Sequence, residues 1–360
     1  MNAVKRVGYG LFLVAFTLLV AELLLRTTDP FGIRIRGDRI TLDAKVVHTF
    51  RNEQLPDVDS LVHLGRNAIG FRGPDPPADL STRLSIVAVG GSTTECMYLS
   101  DGQDWPSLLA KLLAADMPQV WVNNAGLDGH STFGHRILLE DHILPLKPDV
   151  VLLLVGANEL GRRDIGRFDR YQLRDRSIRG IFGEMELVHS FQAWRMARAA
   201  KEQGVGHGSI SLNVDAPRRE IPHEQLVLEL DAERPLVEAY KERLTGLVKL
   251  IQANGSLPVL MTQPSLFTAA FDPVTGVDLS RYPWQEHSNG AALAAKLAMY
   301  NESTLQVGRE LQLPVIDLAA TMKVSSREFY DAFHFTRTGS RVVSALVAEG
   351  LRPYLADLLD

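Results

Sequence analysis

The sequence predicts an α/β protein in which a parallel sheet lies between two layers of helices. Short, continuously apolar segments of strand length recur along the chain. Most of them are separated by segments in which apolar residues recur at helical spacing. Strands that are apolar throughout are buried on both faces, which is typical of parallel sheets covered by helices. Because crossovers between parallel strands are right-handed, we expect a three-layer α/β/α sandwich.

The elements of this sandwich can be placed in chain order, and all of them lie in a predicted domain at residues 84–360. The strands are predicted at Leu84–Val89, Val120–Asn124, Val150–Val155, Leu257–Thr262 and Pro314–Asp317. The helices are predicted at Trp105–Ala115, Leu236–Ala253, Ala291–Leu311 and Arg341–Leu355. The preceding residues 27–83 are rich in Pro, Gly, Asp and Arg, which indicates a linker and an irregular lead-in.

The first 26 residues have the pattern of a membrane segment. Lys5 and Arg6 precede the apolar stretch Val7–Leu25, whose length suits a membrane-spanning helix if Glu22 lies near the interface. A cleaved signal peptide and a buried N-terminal helix are the alternatives. We favour an uncleaved signal anchor, because Leu19-Val20-Ala21 is a poor cleavage site. The positive-inside rule then places the following domain on the extracytoplasmic side, either periplasmic or extracellular.

Composition excludes several classes of protein. The chain has 360 residues, of which 46% are apolar, as in globular proteins. With 38 basic and 43 acidic residues the net charge is −5, so bulk charge gives no indication of nucleic-acid binding. The single cysteine, Cys96, cannot form an internal disulfide or a cysteine zinc cluster. The sequence gives no indication of the oligomeric state.

A long insertion, residues 162–232, separates the third strand from the next helix. Its first part carries seven arginines between Arg162 and Arg179, which nearby aspartates offset only in part. Residues 184–201 within it are predicted to be helical. A solvated surface excursion is one interpretation. A lid or a patch for an anionic substrate is the other, because long loops in compact domains are often active-site lids.

Polar motifs follow the predicted strands at the sheet edge where α/β proteins bind ligands. Gly90-Gly91-Ser92 follows the first strand, and its serine can act as a nucleophile or simply cap a helix. Gly126 and Gly129 follow the second strand and can aim N–H groups at an oxyanion or merely form turns. Asn158 follows the third strand and offers an amide donor or a turn residue.

The segment before the last helix contains Asp331 and His334, three residues apart. On a turn or short helical segment this spacing lets the carboxylate reach the imidazole. The carboxylate would fix the imidazole tautomer, so that the other ring nitrogen can accept a serine proton. A helix-start Asp beside a structural His is the alternative interpretation.

In this order the motifs resemble those of the SGNH, or GDSL-like, hydrolase superfamily, over residues 84–355 without the insertion. The family carries its nucleophile in a Gly-Asp-Ser block after the first strand. Gly90-Gly91-Ser92 is the corresponding block here, with Gly where the family has Asp. Asp331 and His334 match the family's Asp-x-x-His block.

Two further family blocks contribute to an oxyanion hole. The second block supplies a glycine N–H, and Asn124–Gly129 matches it. The third block is Gly-x-Asn-Asp, which Gly156–Glu159 matches with Glu in place of the final Asp. The segment Arg66–Gly73 is also similar to a lead-in found in membrane-anchored bacterial members.

The resemblance implies a flavodoxin-like parallel sheet and a serine esterase that needs no metal or organic cofactor. By analogy, Ser92 is the nucleophile, His334 accepts its proton, and Asp331 holds His334. The N–H groups of Ser92 and Gly129 and the side chain of Asn158 would form the oxyanion hole.

The substrate is expected to be an O-acyl ester, and we favour acetyl esters of cell-surface carbohydrate. The extracytoplasmic position and the polar, arginine-bearing insertion support this choice. An O-acyltransferase and a lipid esterase would use the same triad. A non-catalytic polysaccharide-binding module on the same scaffold is a further alternative. The retained Ser, Asn and His speak against that last alternative.

Overall fold

The computed structural model divides into two compact units, Met1–Asp43 with Arg170–Gly206, and Ala44–Asp169 with His207–Asp360. It describes residues 3–28, 35–36, 39–52, 55–161, 185–188, 190–191, 194, 210, 212, 218–285 and 287–359. The arginine-rich part of the insertion, 162–179, lies outside the described residues. Of the predicted helix 184–201, the residues 185–188, 190–191 and 194 are described, and all of these except Met185 are helical.

The smaller unit is built around helix α1, Ala3–Thr28. Within it, Lys5–Thr27 is long and apolar enough to cross a membrane, a property that N-terminal signal sequences share. A two-stranded ribbon, Ile35–Arg36 with Arg39–Ile40, follows the helix. The Glu22 carboxylate accepts hydrogen bonds from the backbone N–H groups of Glu186 (2.9 Å) and Leu187 (3.0 Å).

The larger unit is built on a five-stranded sheet in which every pair is parallel. The strands are β1 (Leu84–Gly90), β2 (Val120–Asn124), β3 (Val150–Leu154), β4 (Leu257–Met261) and β5 (Val315–Ile316). Their order across the sheet is β5-β4-β3-β1-β2. This is the flavodoxin-like order, in which the direction of winding reverses between β1 and β3. The predicted fold class is confirmed.

Helices cover both faces of this sheet. They are α2 (Ser92–Glu95), α3 (Trp105–Ala114), α4 (Thr132–Leu138), α5 (His223–Ala253), α6 (Gly290–Glu310), α7 (Leu318–Thr321) and α8 (Arg337–Leu359). The packing of α3 against α8 and of α5 against α6 forms the two helical layers. The apolar strand residues between the layers are fully buried, which is why their sequences are apolar without alternation.

Two elements differ from the sequence-based expectation. Helix α5 begins at His223, well before the predicted start at Leu236, and it continues through Pro235, although a proline normally ends or kinks a helix. The turn before Pro235 is held by buried Glu233, which accepts hydrogen bonds from the Gly161 N–H and the Tyr300 hydroxyl, both 2.7 Å. The insertion therefore gives way to regular helix before residue 232.

The second difference lies in the predicted irregular lead-in. It contains an antiparallel hairpin, Val46–Arg51 paired with Leu61–Arg66. Its first strand is largely exposed, so it lacks the apolar alternation that marks a strand in sequence. The second strand alternates between buried and exposed side chains, with Val62, Leu64 and Arg66 buried. A further short ribbon, Pro283–Trp284 with Ser288–Asn289, precedes α6.

Candidate active site

The candidate nucleophile, Ser92, lies at the carboxyl end of the central strand β1. Gly90 ends the strand, Gly91 is the N-cap, and Ser92 is the first residue of the single-turn helix α2. A Cβ atom at Gly90 would collide with the Leu154 carbonyl oxygen, at 2.5 Å, and with the Thr94 side chain. The turn therefore needs glycine at position 90. The result is a serine that is buried but faces the sheet edge where ligands bind.

Asp331, His334 and Ser92 form a continuous row of hydrogen bonds. The Nε2 atom of His334 lies 2.7 Å from Ser92 Oγ, and its Nδ1 atom lies 2.6 Å from Asp331 Oδ2. The other carboxylate oxygen, Asp331 Oδ1, accepts the backbone N–H groups of Phe333 (2.9 Å) and His334 (2.8 Å). With Nδ1–H donated to the carboxylate, Nε2 is left to accept the serine hydroxyl proton.

The charge on Asp331 is stabilised by its surroundings. Burial raises the pKa of this carboxyl, but the adjacent His334 and the hydrogen bonds from the His334 ring and from the backbone N–H groups of His334 and Phe333 lower it more. The net effect is a lowered pKa, so the group is a carboxylate at neutral pH. A fixed negative charge at this point favours the imidazolium that forms when His334 accepts a proton.

Tyr330, for which the sequence predicts no role, supports His334. Its ring stacks on the imidazole with a centroid distance of 5.5 Å and an interplanar angle of 10°. Its N–H donates to the His334 carbonyl oxygen (3.1 Å), and its own carbonyl accepts the N–H of Ile210, which lies within the insertion (3.1 Å). Burial and the neighbouring Asp331 raise the Tyr330 pKa, so its ring stays neutral. The only sequence signal for the stacking of Tyr330 on His334 is the position of Tyr330 next to Asp331.

Asn158 lies beside the turn that carries Ser92. A Cβ atom at Gly91 would collide with the Asn158 amide nitrogen, so the two residues are in direct contact. The amide Nδ2 donates to the His130 carbonyl oxygen (2.8 Å), which fixes the orientation of the side chain. Glycine at position 91, where the family has Asp, thus leaves room for this amide.

Gly129 lies on the loop after β2, and this loop contacts helix α2. The neighbouring Asp128 N–H donates to Glu95 Oε2 (2.5 Å), and a Cβ atom at Gly126 would collide with the Glu95 backbone. Gly129 itself has a φ of +73°, a conformation that favours glycine. The three predicted oxyanion-hole residues therefore lie around the turn between β1 and α2. Ser92 begins α2, and Gly129 and Asn158 lie in the segments that follow β2 and β3.

Glu159, the other departure from the family pattern, is a buried structural anchor. Its carboxylate accepts the N–H of Thr132 (2.6 Å) at the start of α4 and a hydrogen bond from Arg243 (2.7 Å) on α5. Arg243 also donates to the Thr132 hydroxyl (2.7 Å). The longer side chain of Glu thus links β3 to two helices.

Two other kinds of chemistry find no support among the described residues. Burial raises the pKa of the Cys96 thiol to about 12, so the thiolate needed of a nucleophile is not available at neutral pH. In the part of the chain that the structure describes, no group of three or more His, Cys, Asp or Glu side chains is arranged to hold a metal ion.

The contact between Gly91 and Asn158 gives a first prediction. Asn158 is a predicted oxyanion donor, so we expect Gly91→Ala to displace its amide and to lower kcat by about 10²- to 10³-fold, the usual loss for one such donor. Gly246→Ala is the control, because a Cβ there meets nothing within 4 Å. Steady-state kinetics on both variants check this. Equal activity of the two variants would show that the amide position has no bearing on the reaction.

Comparison with known families decides the class of the protein. The model of the GDSL-like lipase/acylhydrolase family matches residues 88–342. The chain belongs to this family. The match covers most of the larger unit and includes Ser92, Asp331 and His334. This acylhydrolase is therefore an ester-hydrolysing enzyme, and the predicted family is confirmed.

Several solved structures are similar to this acylhydrolase at low sequence identity. An α/β hydrolase from the metagenome of Lake Arreo is 14% identical, covering 75% of this chain and 95% of its own, with a TM-score of 0.43. An acetylxylan esterase from Geobacillus stearothermophilus is 13% identical, and the match covers 74% of this chain and 93% of the esterase, with a TM-score of 0.43. No curated protein matches the sequence.

Proposed function

We propose that this acylhydrolase is a serine esterase that removes O-acetyl groups from cell-surface carbohydrate. The observation that carries the proposal is the row of hydrogen bonds from Asp331 through His334 to Ser92. A carboxylate, an imidazole and a hydroxyl in this order are what nucleophilic acyl transfer by serine requires.

In the proposed reaction, Ser92 Oγ attacks the ester carbonyl carbon while its proton passes to His334 Nε2. The tetrahedral intermediate then collapses, the bond to the alcohol oxygen breaks, and His334 returns the proton to the departing alcohol. A water molecule next attacks the acyl-enzyme, with His334 accepting its proton. Collapse of the second intermediate breaks the bond between the acyl carbon and Ser92 Oγ, which takes the proton back from His334, and the carboxylic acid is released.

The negative charge on the carbonyl oxygen is assigned to three donors. Ser92 lies in the first turn of α2, where backbone N–H groups have no acceptor within the helix. One N–H of the Asn158 amide is held by the His130 carbonyl, and we assign the other to the oxyanion. The Gly129 N–H is the third donor. Fixed donors of this kind cost little reorganisation as the charge develops.

Carbohydrate as the acyl-bearing group is supported by aromatic residues beside the triad. Phe333, which precedes His334, packs edge-on against Trp284 with ring centroids 6.3 Å apart. Both rings are partly exposed, and flat aromatic surfaces can pack against the apolar face of a sugar ring. The same surface could receive an acyl chain, so chain length is the property to measure.

The experiment is a series of p-nitrophenyl esters from acetate to decanoate, with the full-length protein in detergent micelles. We expect the highest kcat/KM for acetate, and release of acetate from O-acetylated polysaccharide. A preference for long chains would replace the proposal with a lipid esterase. Acyl transfer to an added sugar without hydrolysis would replace it with an O-acyltransferase. A folded protein inactive in both assays would indicate a binding module.

We also propose that α1 anchors the enzyme in a membrane, with the larger unit on the extracytoplasmic side. The apolar span, its basic N-terminal flank and the pairing of Glu22 with Arg26 (2.8 Å) and two backbone N–H groups support this. The exposed rings of Phe191 and Trp194 stack at 6.0 Å in the same unit, and Trp is enriched at membrane interfaces.

Membrane extraction tests the anchor. After alkaline carbonate extraction, full-length protein should stay with the membranes. Release of a shortened chain would indicate a cleaved signal peptide.

A further inference from the structure

Two buried arginines from the lead-in reach the helix that begins with Ser92. Arg72 is 1% exposed and donates to the carbonyl oxygens of Glu95 (2.5 Å), Cys96 (2.9 Å) and Leu99 (2.7 Å). These carbonyls lie at and beyond the C-terminal end of α2, where cationic donors stabilise a helix. The segment Arg66–Gly73 thus stabilises α2, the helix that carries Ser92, at its C-terminal end.

Arg66 forms a buried ion pair with Glu95, the last residue of α2. Their side chains are 5% and 0% exposed. The hydrogen bond and ion pair join the Arg66 guanidinium to Glu95 Oε1, while Glu95 Oε2 accepts the Asp128 N–H at 2.5 Å. One carboxylate therefore connects the lead-in, the nucleophile helix and the residue before Gly129.

We propose that Glu95, held in place by Arg66, is a positioning residue that sets the Gly129 N–H relative to Ser92. The inference rests on the proposed oxyanion role of Gly129. Glu95 is three residues after Ser92 on one helical turn, and Asp128 is bonded directly to Gly129. The hydrogen bond from the Asp128 N–H to Glu95 thus fixes the distance between Ser92 and the Gly129 N–H. A buried ion pair adds little net stability compared with apolar residues of similar size. We therefore assign the pair of Arg66 and Glu95 a role in geometry rather than in stability.

The test compares two double variants that both lack the ion pair. Arg66→Met with Glu95→Gln keeps an amide oxygen that can accept the Asp128 N–H. Arg66→Met with Glu95→Leu has no acceptor at that position. Removing both charges avoids leaving one buried and unpaired. We expect the Gln variant to stay within about 5-fold of the parent kcat and the Leu variant to lose about 10- to 100-fold, with KM little changed in either.

Titration with a fluorophosphonate separates positioning from folding. A structural role would lower the number of reactive sites, whereas a positioning role lowers kcat per titrated site. A matched control is Lys296→Met with Glu229→Gln, which removes the ion pair (2.6 Å) between α6 and α5 and should leave kcat per site unchanged. The inference is overturned if the Leu variant keeps full kcat per site, or if both double variants lose it equally.

The proposed function and this inference fail in different ways. If Gly91→Ala and Ser92→Ala both leave hydrolysis intact, the catalytic assignment itself is wrong. If those variants lose activity while the Leu double variant keeps it, only the positioning role of Glu95 is wrong.

Discussion

Replacing Ser92 with Ala is expected to reduce kcat for ester hydrolysis by about 10⁴- to 10⁶-fold. The variant lacks the oxygen that forms the acyl-enzyme, so only oxyanion stabilisation and binding remain. The Ser92 hydroxyl is the last group in the row of hydrogen bonds from Asp331 through His334. Its removal leaves His334 Nε2 without the proton donor 2.7 Å away. Binding of the ester should change far less than kcat, because alanine preserves the backbone N–H of residue 92.

The matched control is Ser107→Ala on helix α3, which removes a serine hydroxyl outside the proposed triad. Thermal unfolding of both variants should differ little from that of the parent protein. Kinetics on an acetyl ester, normalised to protein concentration, give the comparison. A Ser92→Ala variant that keeps more than a few per cent of the parent kcat would mean that another group performs the attack.

The second large effect is expected for Asp331→Asn, with a loss in kcat of about 10⁴-fold. The Asn amide can donate to His334 Nδ1, which places the ring proton on Nε2. In that tautomer Nε2 cannot accept the proton of Ser92. The side chain keeps its size and its oxygen can still accept the N–H groups of Phe333 and His334. Kinetics should therefore show a large fall in kcat with an intact fold.

Asp331→Asn also carries a prediction about stability and pH. The folded-state pKa of Asp331 is lowered, so its charge stabilises the fold above the unfolded-state pKa of about 4. That contribution is lost as pH falls through the folded-state pKa. Urea unfolding of the parent and the variant should thus show a constant difference in unfolding free energy near neutral pH. The difference should shrink below about pH 4, and a difference that grows there would contradict the account.

The strands and the pairing of Asp331 with His334 could be predicted because their signals are local. Apolar runs bounded by glycine mark β1 and β3, and the spacing of Asp331 and His334 lies within one turn. Ser92 follows a strand and is placed at the ligand-binding edge of the sheet by the fold class. His334 is far from Ser92 in sequence and follows no strand directly, so its pairing with Ser92 was expected only from the resemblance to the SGNH family.

Other parts of the site could not be predicted, because they depend on contacts between distant side chains. No pattern in the sequence links Arg66 to Glu95, or Glu95 to the N–H of Asp128. Helix α5 extends further toward its N-terminus than predicted, and the tertiary contacts of Glu233 hold the turn before Pro235.

The two departures from the family pattern have local explanations. Gly91 is required by the Asn158 amide that lies where a Cβ would project. Glu159 is long enough to meet both the start of α4 and Arg243 on α5. The family pattern could show that these positions differ, but the reason lies in the packing around them.

The most direct test of the account is to identify the residue that reacts covalently. Full-length protein would be treated with a fluorophosphonate, digested and mapped by mass spectrometry, with Ser92→Ala treated in parallel. The account predicts one phosphonyl group per chain, on Ser92, and none on the variant. Labelling of any other residue in the active parent protein, or equal labelling of the variant, would contradict the assignment of Ser92 as the nucleophile.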